Sequence, residues 1–144
     1  MMTSHLHSNQ RGIMLIEALV GILIFSIGIL AMLGMQAVGI QTTVDAKYRS
    51  DAAFLANQVV SQIWVDQTDI ANYDTTGGSY PPRDAWVTQV QSSLPKATGA
   101  NAPTITVTGA PPSQVAVTVF WQKPGDPTVS RQTVIATIKC SNCT

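Results

Sequence analysis

Charged side chains are scarce in this chain, at 11% of 144 residues, against roughly a quarter in a typical soluble domain. Eight Lys and Arg balance eight Asp and Glu, and no run of like charge occurs. A nucleic-acid-binding surface normally leaves a basic patch, and none is visible here unless folding clusters Arg83, Lys96 and Lys123. Histidine is nearly absent too. Both copies, His5 and His7, precede Gly12. The rest of the chain therefore lacks the base of a Ser-His-Asp or Cys-His arrangement and the usual zinc ligands. Asp66 and Asp69 are the nearest approach to a carboxylate pair; they read as a solvated helix end and loop, because acidic side chains mostly sit exposed. No phosphate-cradling or dinucleotide-binding glycine pattern is present. Enzyme activity, a cofactor, a metal and a small-molecule substrate are not expected.

Cysteine is confined to Cys140 and Cys143. A redox CxxC belongs near a βαβ pattern at a helix start, and a metal site would need further ligands. A small disulfide closing the tail is the plain reading. Its loop is too short for a large entropic gain, so it would cap the tail rather than hold the fold.

What the chain does have is one long apolar run. It opens with Arg11-Gly12-Ile13-Met14-Leu15-Ile16-Glu17, and no further charge appears until Asp45. Ala18 to Val44 exceeds the roughly 20 residues that span a bilayer as helix. A lone carboxylate near hydrocarbon must be neutralised or find a cation, at a cost of about 3 kcal/mol or more, so Glu17 is functional by default. Arg11 precedes the run, whereas Asp45, Lys47, Arg49 and Asp51 after it cancel. That bias places the N-terminus in the cytoplasm and the residues after Val44 outside. The rival, a cleavable secretory signal, has an apolar region of roughly 7–15 residues; this one is too long. Outside the membrane, both cysteines meet oxidising conditions.

Within the run, Gly21, Gly28, Gly34 and Gly39 either allow close helix approach or are simply tolerated. Beyond it, Val44, Tyr48, Ala52, Leu55, Val59 and Ile63 recur at helical spacing, with Asp45–Arg49 and Lys47–Asp51 as i,i+4 ion pairs on the outer side. A helix from Met14 to Trp64 would be roughly 75 Å long. The stretch from Tyr73 to Pro82 is a loop by its turn residues. Asp84–Leu94 reads as a second helix stopped by Pro95. Thr104–Thr108, Val115–Trp121 and Thr133–Lys139 read as strands, the last two joined by a hairpin loop at Lys123–Pro127. The expected class is α+β: an antiparallel sheet of three or four strands packed on a helical spine.

The junction at residues 11–17 resembles the class III signal of type IV prepilins and pseudopilins. The stretches Ile16–Gly21 and Ile27–Gln36 look like those of PilV-type minor pilins. The resemblance implies a leader at residues 1–12, a transmembrane and assembly helix at 13–40, and an extracytoplasmic pilin-like domain at 41–144 that includes the second half of the spine. A prepilin peptidase would cleave between Gly12 and Ile13. Ile13, in place of the family's commoner phenylalanine, would become the N-methylated first residue. Glu17 would pair with the N-terminal amine of a neighbouring subunit during assembly. The implied partners are the peptidase, other minor and major pilins and the inner membrane, with the pilus or cell surface as the later location and twitching motility among the processes affected.

Two other readings share these residues. A minor pseudopilin of a type II secretion system carries the same signal. A pilus-tip adhesin or DNA-uptake module would need an exposed aromatic or basic patch, for which Tyr73, Tyr80 and Trp86 are candidates, unless they pack at the edge of the core. A protease subsite next to the scissile bond is tight, and glycine also permits the extended backbone cleavage requires. Gly12→Val should therefore leave a precursor that retains residues 1–12, visible by mass spectrometry; normal processing of the variant would remove Gly12 from the cleavage site.

Overall fold

The computed structural model describes residues 10–109 and 113–139. A long helix, α1 (Gln10–Val65), is followed by a 3-10 segment (Gln67–Tyr73) and a second helix, α2 (Pro81–Ser93). After a 3-10 turn (Gly99–Asn101) come three strands: β1 (Thr104–Thr108), β2 (Ser113–Gln122) and β3 (Val129–Ile138). The class is α+β, with an antiparallel sheet in the order β1-β2-β3. The chain divides into two compact units, with the boundary between Val44 and Asp45.

Up to Val44, α1 buries none of its large apolar side chains. From Ile13 to Ile40 their exposure runs from 44% at Ile29 to 78% at Met35. A helix that is apolar all round belongs in lipid or among other helices, and this one is long and apolar enough to cross a membrane. The hydroxyls of Ser26, Thr42 and Thr43 donate to the carbonyls of Ile22, Val38 and Gly39, at 2.7, 3.0 and 2.9 Å. They would enter apolar surroundings already paired. Among the described residues, nothing beyond the adjoining helix backbone and chain neighbours comes within 4 Å of where a Cβ would sit on Gly21, Gly28, Gly34 or Gly39.

From Asp45 onward the same helix buries one face. Ala52, Leu55, Val59 and Ile63 are buried as their spacing predicts, Ala56 and Val60 widen the stripe, and Tyr48 packs at its edge. Val44 stays 36% exposed. The facing layer comes from alternate residues of the sheet: Ile105, then Val115, Val117, Val119 and Trp121, and Ile138. Alternation has a period of two, so one side of β2 is entirely core. Pairing runs without a bulge from Ser113↔Ile138 to Gln122↔Val129, and from Thr104↔Thr118 to Thr108↔Gln114.

β1 keeps its predicted limits, whereas β2 at both ends and β3 at its start outrun theirs, because pairing recruits mostly polar residues that carry no strand signal; β3 stops at Ile138, one residue short. The β2–β3 turn is where composition placed it, with Gly125 at φ 82, a left-handed backbone that glycine adopts at no steric cost. The expected i,i+4 pairs are absent from the ion pairs among the described residues. Instead Asp45 bonds Lys123 at 2.8 Å, and Lys123 also meets Asp126 at 3.2 Å. A lysine between two carboxylates outcompetes solvent-exposed pairs along one helix, which are worth only a few tenths of a kcal/mol.

Helix α2 begins three residues before the predicted Asp84, because Pro81 and Pro82 form its first turn rather than the end of the loop. Proline lacks the N–H that a helix start leaves unpaired, and its φ is already helical. Its buried face carries Trp86 and Val90, continued by Leu94. The indole N–H of Trp86 donates to the Leu55 carbonyl at 2.9 Å, tying α2 to α1. Trp86→Phe keeps most of the buried area and deletes that bond, so it should cost about 1 kcal/mol, whereas Trp86→Ala should cost about 3–5 kcal/mol. Denaturant unfolding of the detergent-solubilised chain separates the two; equal losses would show that the bond contributes nothing measurable.

Candidate functional site

Gly12, Ile13 and Glu17 all lie in the first turns of α1. All three are exposed. Ile13 and Glu17 are four residues apart and so share a face of the helix. No ion pair among the described residues involves Glu17. The helix runs through the Gly12–Ile13 bond, yet a protease needs extended backbone. Opening that turn is easier at glycine, which is about 1 kcal/mol worse than alanine in a helix. If the chain began at Ile13, Glu17 would sit about one turn from a free amine. There the macrodipole is positive and favours a carboxylate. Cys140 and Cys143 lie outside the described residues.

The candidates beyond Val44 converge on one region, with different roles. Asp66 is not the solvated helix end expected of it. It is half-buried and accepts hydrogen bonds from the hydroxyls of Tyr73, at 3.3 Å, and Tyr80. The two rings meet edge-on with centroids 5.0 Å apart. Asp69, also half-buried, accepts from Asn72 Nδ2 at 2.8 Å. Tyr73 and Trp86 are buried and Tyr80 is half-buried, so these aromatics are core edge rather than an exposed patch. Burial and then the Asp66 charge push the Tyr73 hydroxyl above its usual pKa. The hydrogen bond to Asp66, then burial, raises that of Tyr80.

Arg83 is the residue that sequence reasoning misplaced most. It is not a surface base open to clustering with Lys96 and Lys123: it is 6% exposed. Its guanidinium donates to the carbonyls of Asn72, Asp74 and Gly78 at 3.3, 2.6 and 2.7 Å, and to Asp84 Oδ1 through Nε and Nη2 at 3.0 and 2.7 Å. Asp84 Oδ2 in turn accepts the Ser79 hydroxyl at 2.5 Å and the Tyr80 N–H at 3.0 Å, which fastens the start of α2. The loop so gathered seals the free edge of β1. Asp74 Oδ2 accepts from the Val107 N–H at 2.9 Å, and Thr75 Oγ1 from the Ile105 N–H at 3.2 Å. The Thr75 N–H donates to the Ile105 carbonyl at 2.9 Å. One sequence signal did announce this loop: Asp-x-Thr before Gly-Gly is an Asx turn, and Asp74 Oδ1 accepts the Thr76 N–H at 2.8 Å.

Burial pushes the Asp74 carboxyl up, but hydrogen bonds from Thr76 and Val107 outweigh it and leave the pKa lowered. The Ser79 hydroxyl, followed by Arg83, lowers that of Asp84. Carboxyls lowered by folding stabilise the native state above their unfolded pKa, and the gain is lost as pH falls through the folded value. Amides of the 74–79 loop should therefore hold their hydrogen-exchange protection from neutral pH to about pH 5 and lose it below about pH 4. Arg83→Met should expose the same amides already at pH 7, because the Asn72 and Gly78 carbonyls lose their side-chain donor and Asp84 loses its cation. Wild-type exchange in that variant would show that the loop holds itself.

No protein-family model, curated protein or solved structure matches this chain, and its function has to be argued from the residues themselves.

Proposed function

We propose that this chain is a minor subunit of a type IV pilus, made as an inner-membrane precursor and processed by a prepilin peptidase between Gly12 and Ile13. The observation that carries the reading is the junction: Arg11, Gly12 and Glu17 ahead of a charge-free helical run. A plain membrane anchor accounts for the run but gives no reason for an acid at its start. Before assembly the apolar surface of residues 13–40 is covered by lipid. After assembly it is covered by the helices of other minor and major pilins. Both surroundings are apolar, so the exchange leaves the hydrophobic term nearly unchanged and packing decides the association.

Glu17 supplies what packing lacks, a fixed axial position. Cleavage creates an ammonium at Ile13, N-methylated in this reading. An ammonium and a carboxylate are each costly to bury alone and become tolerable as a pair between neighbouring subunits. Register errors separate them and leave two unpaired charges in an apolar bundle. The extracytoplasmic unit contributes a surface to the filament or its initiating complex and performs no chemistry in this reading.

Glu17→Ala should be processed and inserted like the wild type and yet be depleted at least about tenfold from sheared filaments, a loss of roughly 1.4 kcal/mol in the assembly equilibrium. Mass spectrometry of filaments and membranes, searching for a peptide that begins at Ile13, measures both steps. Undiminished incorporation of Glu17→Ala would remove the pairing role. An Ile13 peptide found only in membranes would favour the minor pseudopilin, and a chain that keeps residues 1–12 everywhere would reduce the protein to a bitopic anchor.

A further inference from the structure

The two edges of the sheet are treated differently. β1, five residues long, is sealed by Asp74 and Thr75. β3, ten residues long, pairs only with β2, and no other described residue bonds to its outer backbone edge. Natural sheets protect such an edge by keeping it short, bulged, proline-bearing, covered or charged. Among the described residues β3 has only one of these devices, the charge of Arg131: its register is unbroken, it contains no proline and it is ten residues long.

The core layer also continues past this edge. Val115 and Val117 on β2 are fully buried, while their partners on β3, Ala136 and Val134, are only partly covered. On the other side of the sheet Ile135 is 62% exposed. A further strand would cover all three and satisfy the edge backbone groups in one step.

We propose that β3 is a strand-addition site that takes an extended, β-branched, acidic segment of another protein. Charge selects the occupant. Arg131 and Lys139, which directly follows the strand, are both exposed and in phase, neither appears in an ion pair among the described residues, and no acid lies between Val129 and Lys139. A second copy of β3 would bring only further bases to this row. A segment with carboxylates at the facing positions neutralises it, while main-chain bonds along the edge supply affinity and alternate side chains supply choice. The inference rests on the sheet alone, so its failure leaves the filament reading untouched.

The probe is a blocked peptide of alternating valine and threonine, with glutamates where Arg131 and Lys139 would face them, added to the full chain in detergent micelles. In the free chain, the β3 amides that point away from β2 should exchange quickly, and the peptide should protect them. Arg131→Glu, an exposed change that keeps the fold, should weaken binding about tenfold, and a peptide with lysines in place of the glutamates should not bind. Three results would overturn the proposal: protection of those amides before peptide is added, self-association of the chain that masks them, or equal binding of the acidic and basic peptides.

Discussion

One guanidinium holds the unit after Val44 in its shape. Arg83 reaches three backbone carbonyls of the segment before α2 and the carboxylate that starts α2. Without it the Asn72 and Gly78 carbonyls lose the donor that draws them together, and the Asp74 carbonyl keeps only the Gly77 N–H. The loop it gathers is what seals β1, and the position of β1 fixes Ile105 in the core. A buried charge that is fully hydrogen-bonded thus organises residues that have little hydrophobic reason to stay together. Small domains with few apolar residues to bury lean on such polar centres, since area alone leaves them marginal.

The surface of α1 changes character after Val44. Its N-terminal part has no polar face, so it demands an apolar environment on every side. From Asp45 the same helix is half core and half water-facing, with Phe54 and Val65 exposed at 67% and 90%. The change of pattern coincides with the first charge after Glu17. The proposed passage from lipid into a filament would suit this arrangement: an N-terminal stretch whose outer surface is uniform, and a folded unit whose core lies wholly after Val44.

Periodicity made much of this legible in advance. The spacing of Ala52, Leu55, Val59 and Ile63 located the packed face, and alternation located all three strands. Turn chemistry at Lys123–Pro127 located the hairpin. What stayed hidden involves partners far apart in sequence. Nothing local distinguishes Arg83 from a surface arginine, because its acceptors are mostly backbone carbonyls that every residue possesses. The same holds for Lys123, whose partner Asp45 is 78 residues away, and for Asp66, whose two donors arrive only when the loop folds back. Pro81-Pro82 misled in the opposite direction, as turn-forming residues that here open a helix. For Gly12, Ile13 and Glu17 the position in the helix is visible, while their roles rest on chemistry with a second chain.

The place of Ile138 in the core gives the chain a timetable. Ile138 is wholly buried and pairs with Ser113, at the opposite end of β2 from the hairpin turn. Helix α1, helix α2 and β1 all precede it, and during synthesis each must wait with part of its apolar layer uncovered. The meander keeps that wait short, since each strand pairs with its immediate neighbour and little loop entropy opposes closure. The unit is therefore vulnerable to aggregation or proteolysis over one interval, between the emergence of Trp121 and the docking of Ile138.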